Sequence, residues 1–367
     1  MIPISRPLIG EEEIKAVTDV LRSGIIASGP KVREFEEKFA GFTGAKHAIA
    51  VSNGTCAIHA ALFGLGIKKG DRVITTPFTF IATANSVLHA GAEPVFADVD
   101  EKTFNIDPGK IEHALKKDMF RKIKAILVVH LYGQCCDMSS INRLAEQYGV
   151  KVIEDAAQAH GALHYGKMAG SLGDAASFSM YATKNMATGE GGMVAVKDDA
   201  AAEKIRKFIN HGSERVYYHT LLGYNYRMTD IEAAIGIVQL GKLEGFNARR
   251  RENAARMKKI LEKYEYITVP YEAPECFHVF HQFTVKVEAS KRDRLLKHLN
   301  DSGIGAKIFY PVPIHGQPFY EKLVNPGVAL KNSEKLAAQV ISLPVYPALT
   351  DGDFEIIEGA FAGFDGR

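Results

Sequence analysis

Apolar residues in this chain recur at two spacings, and the order in which those spacings alternate predicts the architecture. Residues 11 to 22 (EEEIKAVTDVLR) put Ile14, Val17, Val20 and Leu21 on one face, as an amphipathic helix does, with acids in its first turn. A second helix is expected over 31 to 42. From there helix and strand patterns trade places: helix 55 to 65, strand 72 to 76, helix 79 to 90, strand 94 to 99, helix 108 to 117, strand 125 to 131, helix 139 to 148, strand 151 to 156. Continuous Val/Ile/Leu runs bracketed by helices predict an α/β fold of three layers, a mostly parallel sheet with helices on both faces and right-handed crossovers. A further strand, 175 to 180, precedes helical patterns at 198 to 209, 228 to 241 and 243 to 264. Near 264 the style changes to shorter strands such as 281 to 288, a helix near 291 to 301 and a Pro-rich stretch at 310 to 318. The chain is therefore expected to divide into a large domain, 1–245, and a smaller C-terminal α+β domain, 246–367.

Composition narrows the function classes. With 46% hydrophobic and 24% charged residues, the 367-residue chain has apolar material for a large core, which argues against disorder. Lys plus Arg number 45 against 43 Asp plus Glu, so a net charge of +2 offers no general attraction to nucleic acid or anionic membrane, and any anion site must be local. The opening MIPISRPLIGEEEIK has neither a basic nor an apolar leader segment, and apolar runs such as AILVV are strand-sized, so a cytoplasmic location is expected. Cys56, Cys135, Cys136 and Cys276 form no C-x-x-C pair and are expected to be reduced thiols.

In an open parallel sheet, ligands sit at the carboxyl ends of the strands. Four such ends carry unusual residues. In AIAVSNGTCAIHAAL, 48 to 62, Ser52 or Asn53 caps a helix and Gly54 permits close backbone approach, which makes a phosphate cradle or simply a capped helix. In TPFTFIATAN, 76 to 85, Phe78 and Phe80 offer flat rings for stacking or for core packing. VIEDAAQAH, 152 to 160, closes an apolar strand on Glu154 and Asp155, and a carboxylate at that depth needs a cation or hydrogen bonds. His160 and His164 with Asp155 make too small a cluster for a metal site to be favoured. Last, SFSMYATKNMATGEGGM, 177 to 193, delivers Lys184 to the same edge, followed by a Gly-rich loop. Nearby GLGIKKG, 64 to 70, has the wrong spacing and context for a dinucleotide fingerprint.

Each feature alone has a plain structural reading. Together they supply a phosphate cradle, a ring stacker, a deep carboxylate and an isolated amine, which is what a pyridoxal phosphate site requires. Lys184 would bond the cofactor aldehyde as an imine and relay protons, while Asp155 would keep the pyridine nitrogen cationic.

The segments NGTCAIHAAL, TPFTFIATAN, GAEPVFADVD, EDAAQAHGA, SFSMYATKNMATGEGGM and GYNYRMTDIEAAIGIVQL closely resemble, in order, those of the DegT/DnrJ/EryC1/StrS aminotransferases, and the resemblance extends over most of residues 1 to 350. It implies fold type I of the pyridoxal-phosphate enzymes, homodimers with the active site at the interface, and transfer of the glutamate amino group to a nucleotide-linked keto-sugar by a ping-pong route through pyridoxamine phosphate. By matching positions it implies Lys184 as the cofactor-bonding lysine and Asp155 as the partner of the pyridine nitrogen. Gln158 would contact the ring's phenolic oxygen and Phe80 would stack on the ring. Gly54, Thr55 and Ser179 would hold the phosphate, and Asn225 would reach it from the neighbouring subunit. His160 and Arg227 are candidates for substrate contact, and the Pro-rich stretch with His315 resembles the part that closes over the sugar. Two other classes remain: a lyase or dehydratase of the same fold, and a non-catalytic regulatory homologue. Lys184 argues against the dehydratases, which carry histidine there.

Overall fold

The computed structural model describes residues 1–323 and 330–366. Its centre is a seven-stranded sheet in the order His47–Val51, Gly192–Val196, Ala175–Ser179, Lys151–Asp155, Ile123–Val129, Arg72–Thr75, Glu93–Phe96. Gly192–Val196 runs antiparallel to both neighbours and the remaining pairs are parallel. Six strands therefore end on one edge, and the seventh begins there.

Neighbouring residues along these strands alternate between two separate apolar clusters, which is why the sequence shows unbroken apolar runs and not a half-polar alternation. Ala48, Ala50, Ile126, Val128, Val152, Ala176 and Phe178 face one cluster, covered by helices Pro30–Thr43, Pro108–Lys117, Met138–Tyr148 and the first half of Asp230–Leu261. Ile49, Val51, Ala125, Leu127, Ile153, Ala175 and Val194 face the other, under helices Gly54–Gly64 and Asp199–Phe208. The expected three layers are present, and most predicted elements fall within a few residues of the observed ones; Pro108–Lys117 coincides end to end.

One expectation is corrected. The helices read at 228 to 241 and 243 to 264 are a single helix, Asp230–Leu261. Gly241 and Gly245 lie inside it, although glycine in a helix interior costs about 1 kcal/mol relative to alanine. The helix continues because each half is buried: Ala233 and Leu243 enter the first core, while Ala254, Met257, Ile260 and Leu261 enter another. That further core lies between an antiparallel sheet of Ile267–Thr268, Phe283–Val287 and Val340–Leu343 and the helices Ala289–Asp301 and Asp351–Ala362. The boundary expected at residue 245 thus falls inside the connecting helix. Crossings occur elsewhere too: Ile2 lies in the C-terminal core, and Ile314 and Tyr320 pack against Ala84 and Phe96 beside the large sheet.

The N-terminal helix also differs from its reading. Val20 is buried, but Ile14 and Leu21 are 53% and 55% exposed, so half of the apolar face has no cover within this chain.

The long helix is tied to the large layer by Asp230, whose carboxylate accepts from the backbone amides of Gly29 (2.8 Å), Val32 (3.0 Å) and Lys31 (3.1 Å). A side chain from one helix thereby satisfies the amino end of another. Asp230→Ala leaves these amides unpaired at a buried site, and we expect a loss of about 2–4 kcal/mol in urea unfolding, read as a lower midpoint at constant m-value.

Candidate active site

The strand ends converge on a cavity of about 970 Å³ whose walls include Gly54, Thr55, Phe80, Asp155, Gln158, Ser179 and Lys184. Seven of the ten residues singled out in the sequence therefore meet in one place.

Glu154 and Asp155 show how a strand sorts two adjacent carboxylates. Successive side chains point to opposite faces. Glu154, fully buried, accepts from the backbone amides of Gly173 (2.7 Å), Leu172 (2.8 Å) and Gly170 (2.9 Å) and lies 2.9 Å from His130 Nε2. It is a structural carboxylate with its acceptor capacity taken up. Asp155 turns to the cavity, 6% exposed, and accepts from Thr83 Oγ1 (2.8 Å) and the Ala157 amide (3.2 Å). Burial pushes its pKa up, against the opposing pull of these hydrogen bonds and of Lys184.

Lys184 follows strand Ala175–Ser179 in a loop that is not the flexible stretch its glycines suggested. The Met180 amide donates to Gly191 O (2.8 Å), Thr188 to Met180 O (2.9 Å) and Lys184 to Tyr181 O (2.8 Å), and residues 185–188 are buried. The side chain is set deep yet keeps partial solvent access because it borders the cavity. Burial lowers its pKa from the ordinary 10.5 to about 8, with Asp155 acting in the opposite direction. Among the described residues its amine has no hydrogen-bond partner, so it is a poised nucleophile.

The cradle forms where strand His47–Val51 runs into helix Gly54–Gly64. Asn53 Oδ1 caps the helix by accepting from the Cys56 amide (2.9 Å), leaving the Gly54 and Thr55 amides to face the cavity without an intrahelical acceptor. Gly54 is demanded by packing: a Cβ there would stand 2.7 Å from Ser179 Cβ, and one at Gly192 would stand 2.5 Å from Asn53 O. The helix end is thus pressed against the strand that carries Ser179. An anion at this point meets free amides and the positive end of a helix dipole.

Phe80 is 58% exposed on the cavity wall, its ring 6.2 Å from that of Tyr310. Gln158 is held in one orientation, because its Oε1 accepts from the Tyr132 amide (2.7 Å) while Nε2 donates to Tyr310 Oη (3.2 Å). A planar cofactor with a phosphate, an aldehyde and a basic ring nitrogen fits this donor set, because one cavity is lined by free helix-end amides, a buried carboxylate and an amine without a partner among the described residues.

The other three of the ten, and His315, lie off the cavity wall. His160 is fully buried beside Phe178, its ring 5.2 Å away and both ring nitrogens unpartnered; burial lowers its pKa to about 3, and no surface is left for a substrate to touch. Arg227 Nη1 donates to Asn210 Oδ1 (2.6 Å). Asn225 is exposed while Tyr226 beside it lines the cavity. His315, in the Pro-rich stretch, lies 3.1 Å from Glu334.

Sequence reasoning missed Thr83 and, in the C-terminal half, His281, Gln282, Lys307 and Phe309, whereas Tyr310 opens the Pro-rich stretch already singled out. Thr83 was legible as a polar residue three beyond Phe80 on a helix face turned to the sheet. The others follow only from tertiary structure.

The model for the DegT/DnrJ/EryC1/StrS aminotransferase family matches residues 7–361. A pleiotropic regulatory protein of Geobacillus stearothermophilus is 43% identical over 356 residues, 96% of this chain and 94% of that one. GDP-perosamine synthase of Caulobacter vibrioides is 40% identical over 367 residues, 98% and 97% of the two chains. Among solved structures, S. venezuelae DesV in complex with a ketimine intermediate superposes with a TM-score of 0.92 at 37% identity, covering 97% of this chain and 95% of that one.

Amine chemistry gives a direct check. In cofactor-free protein, the rate at which Lys184 reacts with an amine-directed acylating reagent should rise with pH around a midpoint near 8, not near the ordinary 10.5, because only the neutral amine is nucleophilic. Asp155→Asn removes the carboxylate that favours the ammonium, so the midpoint should move lower still, as read by peptide mass spectrometry against pH.

Proposed function

The chain belongs to the DegT/DnrJ/EryC1/StrS aminotransferase family, and from that premise we propose that it moves the amino group of L-glutamate onto a nucleotide-linked keto-sugar in two half-reactions of ping-pong type. The coarser statement stands on the family itself: this is a pyridoxal-phosphate-dependent aminotransferase of amino-sugar biosynthesis. The observation that carries the finer reading is the meeting of Lys184, Asp155 and the Gly54–Ser179 cradle in a single cavity large enough for cofactor and sugar.

Pyridoxal phosphate, when bound, supplies a carbonyl that takes up the amino group and a cationic ring that withdraws electrons from the carbon losing its proton. The Gly54 and Thr55 amides and the Ser179 hydroxyl bind the phosphate. Asp155 holds a proton on the pyridine nitrogen, and Thr83 and the Ala157 amide fix that carboxylate in place. Phe80 covers one ring face, and Gln158, locked by Tyr132 and Tyr310, presents its amide to the phenolic oxygen. Lys184 Nζ would take the proton from the amino donor's α-carbon and hold it within the cavity, and in the second half-reaction would deliver a proton to the sugar carbon that receives the amino group.

Asn225 is assigned to the phosphate of a neighbouring subunit in a homodimer. Support comes from its exposure and from uncovered apolar residues on the same chain: Val216, Tyr217 and Leu222 are 82%, 93% and 79% exposed, in addition to Ile14 and Leu21. Among the described residues no helix is long and apolar enough to cross a membrane, and we place the enzyme in the cytoplasm.

Incubation with glutamate and a panel of nucleotide-linked keto-sugars should produce 2-oxoglutarate in stoichiometric step with an amino-sugar nucleotide. Release of pyruvate or ammonia would point to a lyase, and absence of any turnover with bound cofactor to a regulatory role. Lys184→Ala should lower turnover by at least three orders of magnitude at unchanged Tm. Mixing inactive Lys184→Ala and Asn225→Ala subunits should restore part of the activity; no recovery would place both groups in one chain.

A further inference from the structure

His281 is the one imidazole of the cavity whose protonation state the surrounding hydrogen bonds dictate. Asn185, the residue after Lys184, donates through Nδ2 to Asn247 Oδ1 (2.8 Å) and Val279 O (3.1 Å), so its Oδ1 can only accept. His281 Nδ1 lies 3.1 Å from that oxygen and must carry the proton. Nε2 is then an unprotonated acceptor. It makes no hydrogen bond among the described residues, and His281 lines the cavity that also holds the unpartnered amine of Lys184.

The backbone that carries His281 is held with unusual firmness. Arg250, buried and without a carboxylate in ion-pair range among the described residues, donates from Nη1 to Phe280 O (3.3 Å) and His281 O (3.2 Å). Val279 and Gln282 donate their amides to Gly133 O (3.0 Å) and Tyr132 O (3.2 Å). Phe280, between them, sits at φ +43°, a left-handed conformation that bulky side chains rarely adopt. Such strain persists only where neighbours over-determine it. Burial, Lys184, Arg250 and His160 all oppose a positive charge on the ring, so it stays neutral.

We propose that His281 Nε2 is the acceptor that receives the Lys184 ammonium whenever this lysine is released from the cofactor, keeping the amine within the cavity between its two proton transfers. The proposal rests on Lys184 being the cofactor-bonding amine. His281 is in this sense a positioning residue: it moves no proton itself and acts through Lys184. The charged and titratable groups around the pair are Asp155 from strand Lys151–Asp155, Tyr181 and Glu190 from the loop around Lys184, Lys307 just before the Pro-rich stretch and Tyr310 at its start, Arg250 from the long helix, and His160.

Two substitutions separate this role from a structural one, because asparagine reproduces the donor at Nδ1 and glutamine reaches the position of Nε2. Acylation of Lys184 in cofactor-free protein, followed against pH, should show a midpoint lower by about one unit in His281→Asn, since a hydrogen bond to a charged group is lost, and a midpoint nearer wild type in His281→Gln. Turnover at equal cofactor occupancy should follow the same order: wild type, then Gln, then Asn. An Asn variant that matches wild type, or a Gln variant worse than Asn, overturns the proposal, because the bond to Asn185 would then be all that His281 provides. In the unsubstituted cofactor-free protein, diethyl pyrocarbonate should modify His281 and spare the fully enclosed His160; an unreactive His281 also overturns it. The acylation and diethyl pyrocarbonate readings are made without cofactor, so they fail separately from the assignment of Lys184, which bonding of the cofactor itself reports.

Discussion

The site depends on holding a carboxylate and an amine in one low-dielectric cavity without letting either lose its function. Asp155 and Lys184 are each penalised by burial, and each partly relieves the other. Asp155 accepts from two further groups, Thr83 and the Ala157 amide, whereas among the described residues the Lys184 amine has no hydrogen-bond partner. That asymmetry is the chemistry: the acid is fixed and the amine is free to move. The parallel sheet supplies the geometry, since six strands end on the same edge and the reversed strand begins there, so the Lys184 loop between Ser179 and Gly192 stays at that edge.

The neighbouring Glu154 marks the boundary between site and scaffold. One residue away in sequence, it faces the other side of the sheet, where three backbone amides and His130 surround it. A pleated strand thus allots one carboxylate to structure and the next to the cavity. The C-terminal layer closes the cavity from the opposite side through His281, Lys307 and Tyr310, so a single helix, Asp230–Leu261, ties both walls together through Asp230 at one end and Arg250 further along.

Much of this was legible in the chain because local signals and the global fold agree. The alternation of helix and strand patterns, the Asn53 cap, the Asp155 strand end and the isolated Lys184 are all short-range features with a physical meaning of their own. What stayed hidden had other causes. The continuity of helix Asp230–Leu261 was not legible, because burial at both ends outweighs the local cost of Gly241 and Gly245. His160 was a candidate for substrate contact through the family resemblance, yet the turn after the strand sends its ring into the core beside Phe178. His281 carries no local signature, because only the packing of the C-terminal layer brings it to the cavity. Ile14 and Leu21 looked like core positions and are exposed here, which is what a face awaiting a second subunit presents.

The most direct test of the central claim is to load the protein with pyridoxal phosphate, reduce it with borohydride, digest it and locate the fixed cofactor by mass spectrometry. The account predicts a single modified peptide carrying the cofactor on Lys184. Cofactor fixed to a different lysine, or none fixed to a protein that has bound it, would contradict the account.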